Sequence, residues 1–117
     1  MKKIHNKPGI YFTKLKFPKE IIKLCNYNFI KIGQAVNLKN RMDDIKTCNP
    51  FNLEIIGFIS IERDKKLLKI EEDKAHNYFA NHHYNGEWYL NTEHLVKDYV
   101  KLRIKDLTER ETDKEVI

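Results

Sequence analysis

Two alternating runs joined by a single connection set the strongest limit on what this chain can fold into. Residues 9–17, GIYFTKLKF, follow Pro8 and read as a strand; residues 29–33, FIKIG, read as a second strand ending at Gly33. Two strands joined by one loop pair antiparallel. The connection, residues 18–28, holds Pro18 and a short apolar cluster (Ile21, Ile22, Leu24), enough for one helical turn. Neighbouring strand residues face opposite ways, so Ile10 and Phe12 share one side and Tyr11 takes the other. Ile30 and Ile32 leave Lys31 opposite in the same way. With the isoleucines inward, Tyr11 and Lys31 share the polar face.

Helix and turn signals organise the rest. Asn37 caps a helix from Leu38 to about Cys48, with Leu38, Met42 and Ile45 as its apolar stripe and Asn49-Pro50 as its stop. Residues 53–61, LEIIGFISI, form a third strand. Asp64 caps a helix to about Phe79, with Leu67, Leu68, Ala75, Tyr78 and Phe79 inward. Asn85-Gly86 is a turn signal, and Trp88-Tyr89-Leu90 a short extended piece. Thr92 caps a last helix carrying Leu95, Val96, Tyr99, Val100 and Leu102. The expected class is α+β: a small three-stranded antiparallel sheet flanked by helices, in one domain over residues 1–104. Residues 105–117 form a polar tail or an extension of the last helix.

Composition narrows the function. No apolar run reaches the roughly 18 residues of a membrane span, and no charged-then-apolar stretch opens the sequence. Cys25 and Cys48 lie far apart and read as reduced thiols, so a cytoplasmic chain without a membrane partner is expected. The charge is one-sided. Residues 1–50 carry 11 Lys/Arg against 3 Asp/Glu, whereas residues 51–104 carry 8 against 9. A basic half suits a polyanion such as DNA, although a solubilising lysine coat would look similar. Lys14, Lys39 and Lys46 are the candidate DNA contacts, with Trp88 as a ring that could stack on a base or anchor the last helix.

Several residues suit phosphodiester chemistry. Arg41 is one of only four arginines among 22 basic residues, and its planar fork matches phosphate oxygens. Glu72 and His76, four apart, share a helix face bordering the packed side. Glu72 is the candidate carboxylate and Glu71 the runner-up. His76 either orients a phosphate or metal-bound water or bonds to Glu72. His82-His83 is a poor zinc site, because adjacent residues rarely converge on one ion.

Taken in order, Gly9-Ile10-Tyr11, Lys31-Ile32-Gly33, Arg41, Glu72 and Gly86-Glu87-Trp88-Tyr89 resemble the GIY-YIG nuclease superfamily. The likeness is greatest to its phage- and virus-associated branch, with a KIG second motif and a GEW element. It runs from about Gly9 to Leu90. The resemblance implies an endonuclease that hydrolyses DNA phosphodiesters with one divalent metal, Mg²⁺ or Mn²⁺. By the same resemblance Tyr11 helps activate the attacking water, Arg41 stabilises the phosphoryl transition state and Glu72 binds the metal. Lys31 stands where many members have tyrosine and is a candidate catalytic residue that could lower the pKa of a nearby phenol or bind phosphate; Ile45 stands where some have His or Tyr. Asn81 and Asn85 are candidates for the asparagine that follows the glutamate helix. For Glu87 the resemblance implies a site-supporting role without specifying it.

Two other readings compete: a degenerate DNA-binding module of the same fold, and an interaction module whose basic half docks an acidic protein. A nuclease of this size would show low sequence selectivity or a structure preference, or would draw its specificity from a homo-oligomer or a partner.

Overall fold

A computed structural model describes residues 6–24, 27–49, 51–90 and 92–116, with side chains to Thr108. The described elements run β1 (Gly9–Lys16), α1 (Lys19–Ile22), β2 (Phe29–Ala35), α2 (Leu38–Cys48), β3 (Asn52–Ser60), α3 (Lys65–Tyr78), a 3₁₀ turn (Ala80–His82), β4 (His83–Asn85), β5 (Trp88–Leu90) and α4 (Glu93–Val116). The α+β class holds, but the sheet has five strands, not three, in the order β3-β1-β2-β5-β4. The extra strands come from the Asn85-Gly86 turn. Gly86 sits at φ +55, a conformation that side chains disfavour, and folds β4 back on β5 as a hairpin. Every pairing is antiparallel, with Tyr11 opposite Gly33, Thr13 opposite Lys31, and Lys31 opposite Trp88.

Strand alternation sorts the core into two clusters. Ile10, Phe12, Ile30, Ile32 and Tyr89 point to one face, where they meet Leu68 and Ala75 of α3, Phe79 just past its end, and Val96 and Tyr99 of α4. Each such side chain, fully buried, contributes about 1.5–3 kcal/mol. Tyr11 points to the other face, as alternation requires, but that face is not polar at this position. Leu38, Met42 and Ile45 of α2 cover it, and Tyr11 is fully buried among them.

The caps mostly follow the sequence. The Asn37 side chain accepts from the Asn40 N–H at 3.1 Å, and Asp64 Oδ1 accepts from the Lys66 and Leu67 N–H groups. Thr92 departs: its backbone carbonyl accepts from Leu95 and Val96, while its buried hydroxyl has no hydrogen-bond partner among the described residues. Leu67, Tyr78 and Leu102, expected inward, are at least 40% exposed. The buried stripes run instead through Leu68, Glu71, Glu72 and Ala75, and through Val96, Tyr99 and Arg103. A shift of one residue rotates a helical side chain by about 100°, out of the stripe. The last helix continues to Val116, so residues beyond 104 extend it. Cys48 is an exposed free thiol; Cys25 and Pro50 lie outside the described residues.

Candidate functional site

The site forms where β2 outruns its partner. β5 pairs with Phe29–Lys31, and one further bond, from the Ile32 N–H to the Glu87 carbonyl, ends the seam. Beyond it no described strand pairs with that edge of β2. α2 packs on one face of the sheet and α3 on the other, so the open edge lets side chains from both layers meet. A cleft of about 560 Å³ lies there, lined by β2 and its exit (Gln34–Asn37), by Asn40, Arg41 and Asp44 of α2, by Glu72 of α3, and by Glu87.

Tyr11 reaches this cleft through Arg41. The Arg41 Nε–H donates to the Tyr11 hydroxyl at 3.3 Å. Gly33 makes that reach possible: a Cβ there would fall 2.4 Å from the Tyr11 hydroxyl oxygen and 2.6 Å from Cζ. The glycine of the KIG segment is therefore the gap through which the tyrosine ring passes. Burial pushes the Tyr11 phenol above its ordinary value, against the opposing pull of Arg41. It therefore stays protonated at neutral pH. The Arg41 bond uses an acceptor lone pair, which leaves the O–H proton able to donate.

Two carboxylates face each other across the cleft. Glu72 is 8% exposed, and its pKa is raised first by burial and then by the negative charge of Glu87. The Gln34 backbone N–H opposes the shift. Glu87 carries the ion pair of the region, with Lys31 Nζ 2.9 Å from its Oε2. The same lysine lies 5.3 Å from the centre of the Trp88 ring. Lys31 thus spends its charge on Glu87 and the indole rather than on the Tyr11 phenol. Glu87 is the site residue that sequence reasoning left without a role. Its signal was the Gly86 turn, which ends the hairpin one residue before the seam.

A family comparison matches residues 9–105 to the T5orf172 domain. The chain belongs to the T5orf172 domain family. This is a phage-associated domain of the nuclease-related group, and membership points to nuclease or DNA-binding work. No curated protein and no solved structure matches the chain.

Within this T5orf172 domain the remaining candidates separate. His76 bonds through Nδ1 to the Tyr89 hydroxyl rather than to Glu72, and burial lowers its pKa. Glu71 is taken by Arg103, whose Nε and Nη2 donate at 3.0 and 2.7 Å. Lys14 lies on the α4 face of the sheet, 2.9 Å from Glu93. Lys39 and Lys46 are exposed on α2 and line a second groove against β3, away from Glu72. His83 Nε2 bonds to the Gly86 carbonyl, and Asn81 and Asn85 are exposed outside the cleft. The asparagines that do line it are Asn37 and Asn40. Among the described residues no three His, Cys, Asp or Glu side chains group to hold a metal, and no helix is long and apolar enough to cross a membrane.

Proposed function

We propose that this T5orf172 domain is a metal-dependent DNA endonuclease of GIY-YIG type. The observation that carries the proposal is the convergence on one open cleft of Arg41 and Glu72, from helices on opposite faces of the sheet, with the Tyr11 hydroxyl bonded to Arg41. A phosphodiester at this cleft would meet a guanidinium suited to its oxygens and a carboxylate suited to a hard cation.

Mg²⁺ or Mn²⁺ fits the donor set. Glu72 is buried beside another carboxylate, an arrangement that a divalent cation relieves, and an open cleft leaves room for the waters such an ion retains. Glu72 would hold the ion, which would supply Lewis-acid stabilisation of the phosphoryl oxygens and leaving group. Arg41 neutralises charge that develops on the phosphorane. Tyr11 fixes the Arg41 side chain and, kept protonated by burial, assists the attacking water as a hydrogen-bonding group rather than as a phenolate. Lys31 and Glu87 brace each other at the cleft wall.

Cleavage of labelled single-stranded, duplex and branched DNA with Mg²⁺ or Mn²⁺ tests this, run beside Glu72→Gln and an EDTA control. Wild type should cut, and the variant should lose at least ~10³-fold in rate with DNA affinity kept or raised. Undiminished cutting by Glu72→Gln would remove this residue from the site. Salt-sensitive binding with no cutting on any substrate would favour a degenerate DNA-binding module.

A further inference from the structure

The face of the sheet that carries Tyr11 does not end at the cleft. Following β2 away from Gly33, the same face presents Lys31 and then Phe29, with Trp88 beside Lys31 on β5. Tyr84 of β4 meets the Phe29 ring edge-on at 5.6 Å, and Phe17 meets it from the β1 side at 5.9 Å. α2 covers the β1 and β3 side of this face, but Trp88, Phe29 and Phe17 are only partly buried and Tyr84 is 60% exposed. The result is an aromatic stripe that begins beside Lys31 at the cleft wall and reaches Phe29 two strand residues on, about 7 Å along the seam at about 3.3 Å per residue.

A stripe of rings alone would fit many occupants; the charge around it is selective. The segment from Lys16 to Lys23 carries Lys16, Lys19 and Lys23 against Glu20 alone, whereas Lys31 is paired with Glu87 and Lys14 with Glu93 on the other face. Lys16, Lys19 and Lys23 are exposed; Lys16 lines a groove with Phe17 and Tyr27, and Lys19 and Lys23 lie on the segment that joins those two rings. Rings that offer faces and edges, bordered by mobile cations, match bases and phosphates of a strand whose bases are unpaired. A paired duplex keeps its bases stacked on one another and has little use for the rings. An acidic protein would use the lysines but not a graded aromatic track.

We infer that the Trp88–Phe29–Tyr84 stripe is a binding track for a single-stranded stretch of DNA continuous with the strand in the cleft. The inference rests on the nuclease reading for its substrate class and deepens it: the preferred substrate is a duplex with an unpaired arm. Base stacking on the rings holds the arm, and Lys16, Lys19 and Lys23 hold its phosphates.

Trp88 is the sole tryptophan, so its fluorescence reports on the track directly. The test titrates the full chain carrying Glu72→Gln, in EDTA, with a blunt duplex, the same duplex with an unpaired arm, and the arm alone. The armed duplex should bind about tenfold or more tighter than the blunt one and quench Trp88. Tyr84→Ala should remove most of that advantage, and Tyr84→Phe should keep it. Tyr84 is exposed, and circular dichroism checks that the variants fold. Equal affinity for armed and blunt duplexes, or an arm advantage untouched by Tyr84→Ala, overturns the track. No cutting is needed for this readout. Wild type that cuts DNA without any arm preference sinks the track and leaves the nuclease; an arm preference without cutting does the reverse.

Discussion

Glu71 and Glu72 are neighbours on one helix, both more than nine-tenths buried, and their surroundings are opposite. Glu71 turns toward α4, where Arg103 grips both of its oxygens and Lys74 adds a second cation at 3.5 Å. Glu72 turns toward the cleft, where burial and the negative charge of Glu87 raise its pKa against a weaker opposing pull from Lys69. The first arrangement satisfies a buried charge and fastens two helices. The second leaves a buried charge short of a cation, which is costly in a fold and useful at a site. The lesson is that burial of an acid says little until its partner is known.

The most severe way to break this contrast is to remove the partner of Glu71. Arg103→Met should destabilise the protein by about 3–5 kcal/mol, because it strands a buried carboxylate. The double variant Glu71→Met/Arg103→Met should recover most of that loss. Urea denaturation of the two variants and wild type measures it. If the single variant unfolds at the same midpoint as wild type, the tie between α3 and α4 is not structural.

A smaller effect is expected on the cleft side. Tyr11→Phe should lower the cleavage rate by about 10²-fold while costing only about 1 kcal/mol of stability, the worth of one hydrogen bond. Rate and denaturation measured on the same preparation separate the two. A loss of stability as large as the loss of rate would make the hydroxyl a packing element.

The gentlest probe is pH. Glu72 has a folded pKa above its unfolded value, so between those values the folded state binds more protons than the unfolded. The contribution of Glu72 to stability is therefore greatest below the unfolded pKa and is lost as pH rises through the folded one. In EDTA, Glu72→Gln should gain on wild type as pH rises from the acid side to neutrality. A Glu72→Gln variant that loses ground to wild type as pH rises would mean that a cation in the protein already pairs with Glu72.

Much of this architecture is legible in local spacing. The extent of α2 from Leu38 to Cys48, its Asn37 cap, the Asp64 cap and the Gly86 turn each depend on residues within a few positions of one another. The alternation that set Tyr11 and Lys31 on one face and Ile10, Phe12, Ile30 and Ile32 on the other is also local, and it holds. Arg41 and Glu72 stand out for their residue type and helix face, and both line the cleft. His76 stands out for the same reasons, yet its ring is engaged by Tyr89, which β5 brings from the hairpin.

The sequence by itself determined the three long strands, the Asn37 and Asp64 caps, the turn and the residues suited by type to phosphodiester chemistry, because these follow from periods of two and 3.6 and from side-chain type. Only the tertiary structure decided which of two adjacent glutamates is neutralised, that α2 buries the face carrying Tyr11, and that Glu87 joins the cleft. A charge's fate depends on what lies across the fold from it, and for Glu71 that residue, Arg103, stands 32 positions away in the chain.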